Sequence, residues 1–158
     1  MTYLQQKAKH FISDKNGSDA TEMVVTTAML AVFIMLCLMI LIYILEANMV
    51  HFATRKVTRN IETLGYYTDA GAQDMYVKAL GETEYLPKAK RVIKIRTNPL
   101  FSFKSGSQTR IKLKGTFDVT GEAVYRVKVV HPGVFDGFNI DLPIKVNITG
   151  MSEKYWGG

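Results

Sequence analysis

Cysteine occurs once in the 158 residues. That single position, Cys37, excludes an intramolecular disulfide, a CxxC metal pair and a thiol-based framework of any kind. Histidine is scarce as well. His10, His51 and His131 stand in separate stretches with no carboxylate or cysteine at ligand spacing, so no metal site is expected. Glycine-rich phosphate loops are missing, since Gly115, Gly121, Gly133 and Gly137 are isolated turn residues, and there is no nucleophile elbow. Neither an enzyme nor a cofactor is expected from these absences. At roughly 100–200 residues per domain the length allows one modest globular unit. The most informative lack is local: Met23 to Leu45 reads MVVTTAMLAVFIMLCLMILIYIL, without a charge, a glycine or a proline. At about 23 residues it exceeds the roughly 20 needed to cross a bilayer core, so one membrane span is expected, with lipid as the first partner. Cys37 then reads as a small apolar residue facing lipid.

The flanks define what kind of span this is. Met1 to Gly17 is polar, with Lys7, Lys9, His10 and Lys15 against Asp14. A cleaved secretory signal has a shorter apolar region and a small-x-small site behind it, whereas this run ends in Glu46-Ala47-Asn48-Met49, so the span is expected to survive as an anchor. Three lysines precede it and Arg55, Lys56 and Arg59 follow it, so the positive-inside rule returns a tie on orientation.

Beyond the span the hydrophobicity changes period. Val50, Ala53, Val57, Ile61 and Leu64 recur at steps of three and four, which predicts one helix from Glu22 to Leu64, apolar first and amphipathic after, with Gly65 as its stop. A second helix is predicted over Asp69 to Leu80, with Ala72, Met75, Tyr76 and Ala79 as its apolar face and Gly81 at its end. After Pro87 the period drops to two. Ile93 and Ile95 alternate with Lys94 and Arg96; Ile111, Leu113, Phe117 and Val119 with Arg110, Lys112, Lys114 and Asp118; Tyr125, Val127 and Val129 with Arg126 and Lys128. Thr120-Gly121-Glu122 reads as a short hairpin connection, and Ile140 to Ile148 as a fourth strand placed at an edge by Pro143.

A small antiparallel sheet of about four strands with one apolar face needs a cover, and the stripe Val50, Ala53, Val57, Ile61 and Leu64 matches it. The expected fold is therefore α+β: a long N-terminal transmembrane helix continuing into an amphipathic stalk, packed on that sheet. The expected organisation is a leader over 1–17, the transmembrane and stalk helix over 18–64, and an α+β head over 65–158.

Directly before the span stands Gly17-Ser18-Asp19-Ala20-Thr21-Glu22-Met23, a glycine followed five positions on by a carboxylate at the edge of lipid. A charge there is costly and usually has a partner, although a carboxylate also suits a helix N-terminus. One reading is a simple cap, with Ser18 or Thr21 capping and Glu22 in the first turn. The other is a processing and assembly site. On these residues the chain resembles the type IV pilin-like proteins, and within them the TadE-like branch, in which a glycine, four small or polar residues and a glutamate open the anchor helix. The resemblance implies that a prepilin-type peptidase cuts between Gly17 and Ser18. It also implies that Glu22 pairs with the N-terminal amine of a like subunit, that the leader is cytoplasmic, and that the head is extracellular. Three features depart from the pattern: no proline interrupts the span, Met23 replaces an aromatic residue, and the leader is long. The tail Ile148-Thr149-Gly150-Met151-Ser152-Glu153-Lys154-Tyr155-Trp156 is similar to that of uncharacterised TadE-like single-span proteins encoded in Gram-positive conjugative elements. Read without the resemblance, Tyr155 and Trp156 close the edge of the core.

Lys94, Arg96, Arg110, Lys112, Lys114, Arg126, Lys128 and Lys145 fall on the polar side of the strand pattern and account for much of the formal net charge of +6. They form a candidate anion-binding face, for nucleic acid or wall polymer, or else a solvated face protected against edge pairing. Three functional expectations follow. The first is a pilin-like structural subunit of a filament or of a conjugative transfer or secretion apparatus. The second is an uncleaved single-pass adaptor of a transfer channel, and the third a tethered nucleic-acid-binding module.

Overall fold

The computed structural model describes the backbone of residues 15–83, 85–129 and 138–156, and the side chains of 21–83, 85–127 and 139–156. Most of the expected leader, His10, His131 and the connector from 131 to 137 lie outside the described residues. The fold is α+β, with one long N-terminal helix and two small antiparallel sheets. The chain divides into two compact units between Ile42 and Tyr43.

Helix α1 runs over Lys15–Leu64. It therefore passes through Ser18 and Thr21 instead of being capped by them, because nothing in Gly17–Glu22 breaks the backbone and the long apolar run behind it propagates the helix. Gly65, at φ +71°, ends it, and its amide donates to Ile61 O at 2.8 Å. Strand β1 (Tyr66–Tyr67) leads into helix α2 (Asp69–Leu80), whose first turn is capped by Thr68 Oγ1 accepting from the Gly71 amide at 3.1 Å. A 3₁₀ turn at Lys88–Lys90 precedes β2 (Val92–Thr97), β3 (Ser102–Ser105), β4 (Gln108–Ile111), β5 (Thr116–Val129) and β6 (Phe138–Met151).

Two three-stranded sheets replace the expected single sheet. The smaller has the order β1-β4-β3 and the larger β2-β5-β6. The run from Ile111 to Val119 breaks at Lys114, at φ +61°, and Gly115, so β4 and β5 enter different sheets and Leu113 is left exposed. Thr120-Gly121-Glu122 is no turn but the middle of β5, paired with β2 on one side and with β6 on the other. Pro143 lies opposite Val124 on β6, the edge strand, where its missing N–H costs no ladder bond.

Within residues 43–158, α1 buries Val50, Ala53, Thr54, Val57, Thr58 and Ile61, and the larger sheet buries Phe117, Val119, Ala123 and Tyr125 of β5 and Ile144 of β6, with Thr54 meeting the sheet at Gly121 and Thr58 at Gly150. Full burial of a large aliphatic side chain contributes about 1.5–3 kcal/mol, so this stripe is a substantial part of the unit's core. Leu64 does not join it. At 40% exposed it is the last helical residue, and Gly65 turns the chain away before anything covers it. The two threonines are buried at little cost because each hydroxyl donates one turn back along α1, Thr54 to Val50 O at 2.7 Å and Thr58 to Thr54 O at 2.9 Å. Helix α2 adds Ala72, Tyr76 and Leu80, with Met75 and Ala79 half-buried. Its Gln73 clamps the edge of β2, donating to Arg91 O at 2.7 Å and accepting from the Ile93 amide at 3.0 Å.

Candidate anchor and assembly surfaces

The first surface is the apolar part of α1. From Thr21 onward the helix is long and apolar enough to cross a membrane, and none of its most apolar window is buried within the molecule. Met23, Val24, Leu30, Phe33, Met35 and Leu41 are each more than half exposed, and Cys37 is exposed on the same surface. Nothing among the described residues covers this much hydrocarbon, and such a surface calls for lipid or another apolar helix. Thr26 and Thr27 do not interrupt it, because their hydroxyls donate back to Glu22 O and, at 2.7 Å, to Met23 O.

Gly17 and Ser18 lie inside α1, and nothing is described of the Ser18 side chain. Glu22 is exposed, in the second turn of the helix, and no ion pair to it forms among the described residues. Its carboxylate thus stands at the margin of an apolar surface.

The second surface is the meeting of helix and sheet. Glycines set its spacing. A Cβ on Gly121 would stand 2.1 Å from Thr54 Oγ1, and one on Gly150 would stand 2.6 Å from Phe117 Cζ and 2.7 Å from Thr58 Cγ2. The helix therefore lies directly on backbone at two points of the larger sheet. Tyr76 follows Gly121 into the same contact, with its hydroxyl donating to Glu122 O at 3.3 Å, and burial pushes its phenol from 10.0 up to about 12.

The eight basic residues do not share a face. Arg110, Lys112 and Lys114 belong to β4 and the turn after it, in the smaller sheet, because the strand run breaks at Lys114. Lys94, Arg96, Arg126 and Lys145 do line the outer face of the larger sheet, and the Lys128 side chain lies outside the described residues. That outer face is charge-paired. Lys94 reaches Glu122 at 2.7 Å and Lys145 the same carboxylate at 3.6 Å, while Arg126 reaches Asp141 at 2.9 Å. Lys90 bonds Asp141 too, and Arg96 stands opposite Asp118 in the β2–β5 register. The Lys94 hydrogen bond lowers the Glu122 carboxyl, and Arg126 followed by Lys90 holds that of Asp141 well below the usual carboxylate range. Each of the two carboxylates takes two cations, so the pairing offsets only part of the positive charge on this face.

Sequence reading missed two polar features. Arg91 is 2% exposed and has carbonyls for partners: Nε and Nη2 donate to Leu86 O, Nη1 to Gly81 O at 2.6 Å and Nη2 to Thr83 O at 3.4 Å. It organises the turn between α2 and β2, beside the carbonyl end of α2, where a cation is favoured. Glu46, half-buried, accepts from Thr83 Oγ1 at 3.1 Å through Oε1, while its Oε2 is buried without a hydrogen-bond partner. The tail forms a strap after β6. Ser152 bonds both ways with the turn before β5, Glu153 N donates to Glu62 O at 3.0 Å, and Trp156 Nε1 donates to Gly65 O at 3.2 Å under the Arg110 guanidinium, 4.7 Å from its ring centroid. Tyr155 stays 72% exposed.

Among the described residues no group of three or more His, Cys, Asp or Glu is placed to hold a metal. An open groove beside α1 carries His51, Arg55, Asp74, Lys78 and Asn147, but Asp74 and Lys78 are engaged with each other at 2.8 Å. Comparison of the chain with known families, curated proteins and solved structures finds no match.

Proposed function

We propose that this chain is a pilin-like, TadE-like structural subunit held in the cell membrane by the apolar part of α1. It would associate with like or related subunits into a filament or pseudopilus of a conjugative transfer or secretion apparatus. The observation that carries the reading is a long helix whose most apolar stretch, from Met23 onward, has no residue buried within the molecule, while a stripe from Val50 to Ile61 further along is buried. Such a helix offers its apolar surface first to lipid and then to neighbouring helices, and the exposed Glu22 supplies the charge that an incoming N-terminal amine would neutralise. The leader is cytoplasmic and the α+β part extracellular in this reading, with a prepilin-type peptidase cutting after Gly17.

The alternative, an uncleaved single-pass adaptor of a transfer channel, draws on a different observation. Gly17 and Ser18 lie within α1, and a helical peptide bond is withheld from a protease that needs an extended substrate. Intact mass and N-terminal sequencing of protein from native membranes separate the two. A chain beginning at Ser18 supports the pilin-like subunit, and a chain that retains the leader supports the adaptor. Glu22→Gln tests assembly independently: if recovery of like subunits by cross-linking is unchanged, the paired-charge role of Glu22 is wrong.

A further inference from the structure

One face of the smaller sheet interleaves rings with cations that no acid answers. In its register Phe103 pairs with Arg110 and Arg110 with Tyr66, so the three form one row across β3, β4 and β1, on the face opposite the buried Ile111. Trp156 of the tail joins that face, 4.7 Å from the Arg110 guanidinium carbon and edge-on to Tyr66. Lys112 follows Arg110 by two residues, and its amide donates to Phe101 O at 2.8 Å, so the ladder continues and alternation returns this exposed lysine to the same side. Lys154 flanks the other end of the row, since a Cβ on Gly65 would stand 2.5 Å from Lys154 Cβ.

Among the described residues Arg110, Lys112 and Lys154 form no ion pair, unlike the cations of the larger sheet that share Glu122 and Asp141. Glu153, next to Lys154, is engaged with Arg59 at 3.3 Å, and Asp69 stands in the first turn of α2. Arg110 has only the Trp156 ring for a partner, and its Nε is buried without a hydrogen bond. Phe103 is 39% exposed on β3, an edge strand, and Tyr155 beside Trp156 is 72% exposed. The connector between β5 and β6 leaves from the far ends of these two 14-residue strands, roughly 40 Å away at about 3.3 Å per residue, so it does not reach this face. An acidic protein or a phosphate polymer would answer the cations but leave the rings unused. A single strand of nucleic acid answers both, because its phosphates meet the cations and its unpaired bases stack on the rings.

We propose that this face of the smaller sheet binds single-stranded nucleic acid. Phe103 is the stacking platform, Arg110 seats a phosphate beside it, and Lys112 and Lys154 take phosphates on either side. The site lies wholly within residues 43–158 and needs neither cleavage after Gly17 nor the pairing of Glu22, so it stands apart from the pilin-like reading.

The test uses the full chain in uncharged detergent micelles and follows the anisotropy of a fluorescein-labelled oligothymidylate at low salt, with a duplex of equal length and inorganic polyphosphate as competitors. Binding of the single strand is expected, with weaker competition from both. Phe103→Leu keeps the apolar bulk but removes the ring, and is expected to weaken binding about fivefold or more, while Phe103→Tyr binds like the parent. Lys112→Gln and, separately, Lys154→Gln are each expected to flatten the slope of log affinity against log salt by about 0.7, one phosphate contact of a single strand. Lys145→Gln, on the larger sheet, is expected to leave that slope unchanged. The far-ultraviolet spectrum of each variant confirms its fold. Failure to bind at low salt, or a duplex that competes better than the unlabelled single strand, overturns the proposal. If Phe103→Leu binds like the parent and polyphosphate competes as well as oligothymidylate, the face takes phosphate polymers without stacking and the proposal is wrong. If Lys145→Gln flattens the slope while Lys112→Gln and Lys154→Gln do not, the strand lies on the larger sheet and the assignment of this face fails.

Discussion

Thr54 Oγ1 lies 2.1 Å from the point where a Cβ on Gly121 would stand, so α1 and β5 approach each other as closely as backbone allows. Gly121→Ala must lift the helix from the sheet or push the Thr54 and Tyr76 side chains aside. Overpacking of this kind costs about 1–3 kcal/mol. Thr54→Ala removes the obstructing hydroxyl. The double variant is therefore expected to be more stable than the sum of the singles by about 0.5–3 kcal/mol, the range for residues in direct contact. Urea melts of the full chain in detergent, followed by far-ultraviolet dichroism, measure the cycle. Strict additivity would mean that the two residues do not touch.

The same contact predicts a dependence on alkaline pH. Burial favours the neutral phenol of Tyr76, so its value in the folded chain, about 12, exceeds the 10.0 of the unfolded chain. The unfolded state therefore releases this proton first as pH rises. The stability it contributes is complete below pH 10.0, declines above it, and is gone beyond about 12. Tyr76→Phe removes the ionising group. It is expected to cost about 1 kcal/mol at neutral pH for the lost bond to Glu122 O, and to show a shallower fall in stability over that alkaline window than the parent. Equal slopes in the two chains would place Tyr76 outside the core.

Arg91 makes a sharper prediction than any surface cation. Its guanidinium satisfies the carbonyls of Leu86, Gly81 and Thr83 while being buried itself. Arg91→Met leaves those acceptors without a donor, and hydrogen bonds to charged groups are worth about 1.5–3 kcal/mol each, so a loss of about 3 kcal/mol or more is expected. Arg91→Lys keeps the charge but lacks the planar fork, and it is expected to recover less than half of that loss. A lysine variant as stable as the parent would show that charge alone suffices there.

How far the residues alone reveal this fold depends on which physical signal each one carries. Val50, Ala53, Val57 and Ile61 announce their face by spacing, and all four are buried. Thr54 and Thr58 complete the same stripe but read as polar, because a sequence does not display the backbone carbonyl that each hydroxyl finds one turn back. Gly121 reads as a turn residue when its purpose is clearance for a helix distant in sequence. Period-two alternation places Lys94, Arg126 and Lys145 on one side of their strands correctly. It carries no information on which strand lies next door, and Glu122 and Asp141 meet those cations only through the pairing of β5 with β2 and β6. Arg91 has no periodic or motif signal at all, since its partners are main-chain carbonyls of an irregular turn. Period two is equally silent on the number of sheets, which a single left-handed residue, Lys114, decides.

The strap after β6 can be probed through Trp156, the only tryptophan in the chain. Its indole donates to Gly65 O at the end of α1, meets Tyr66 edge-on with centroids 6.1 Å apart, and lies under Arg110, whose Nε is buried without a hydrogen-bond partner. The ring therefore links helix end, smaller sheet and tail, and its face is what compensates the Arg110 charge. Trp156→Phe keeps an aromatic face but loses the bond to Gly65 O, an expected cost of about 1 kcal/mol. Trp156→Ala loses the face as well and leaves the guanidinium over an empty site, which adds about 0.5–2 kcal/mol for the cation–π contact alone. In the Arg110→Met background the second increment should shrink, because no charge remains to be compensated. An alanine variant equally destabilised with and without Arg110 would show that Trp156 acts by packing alone.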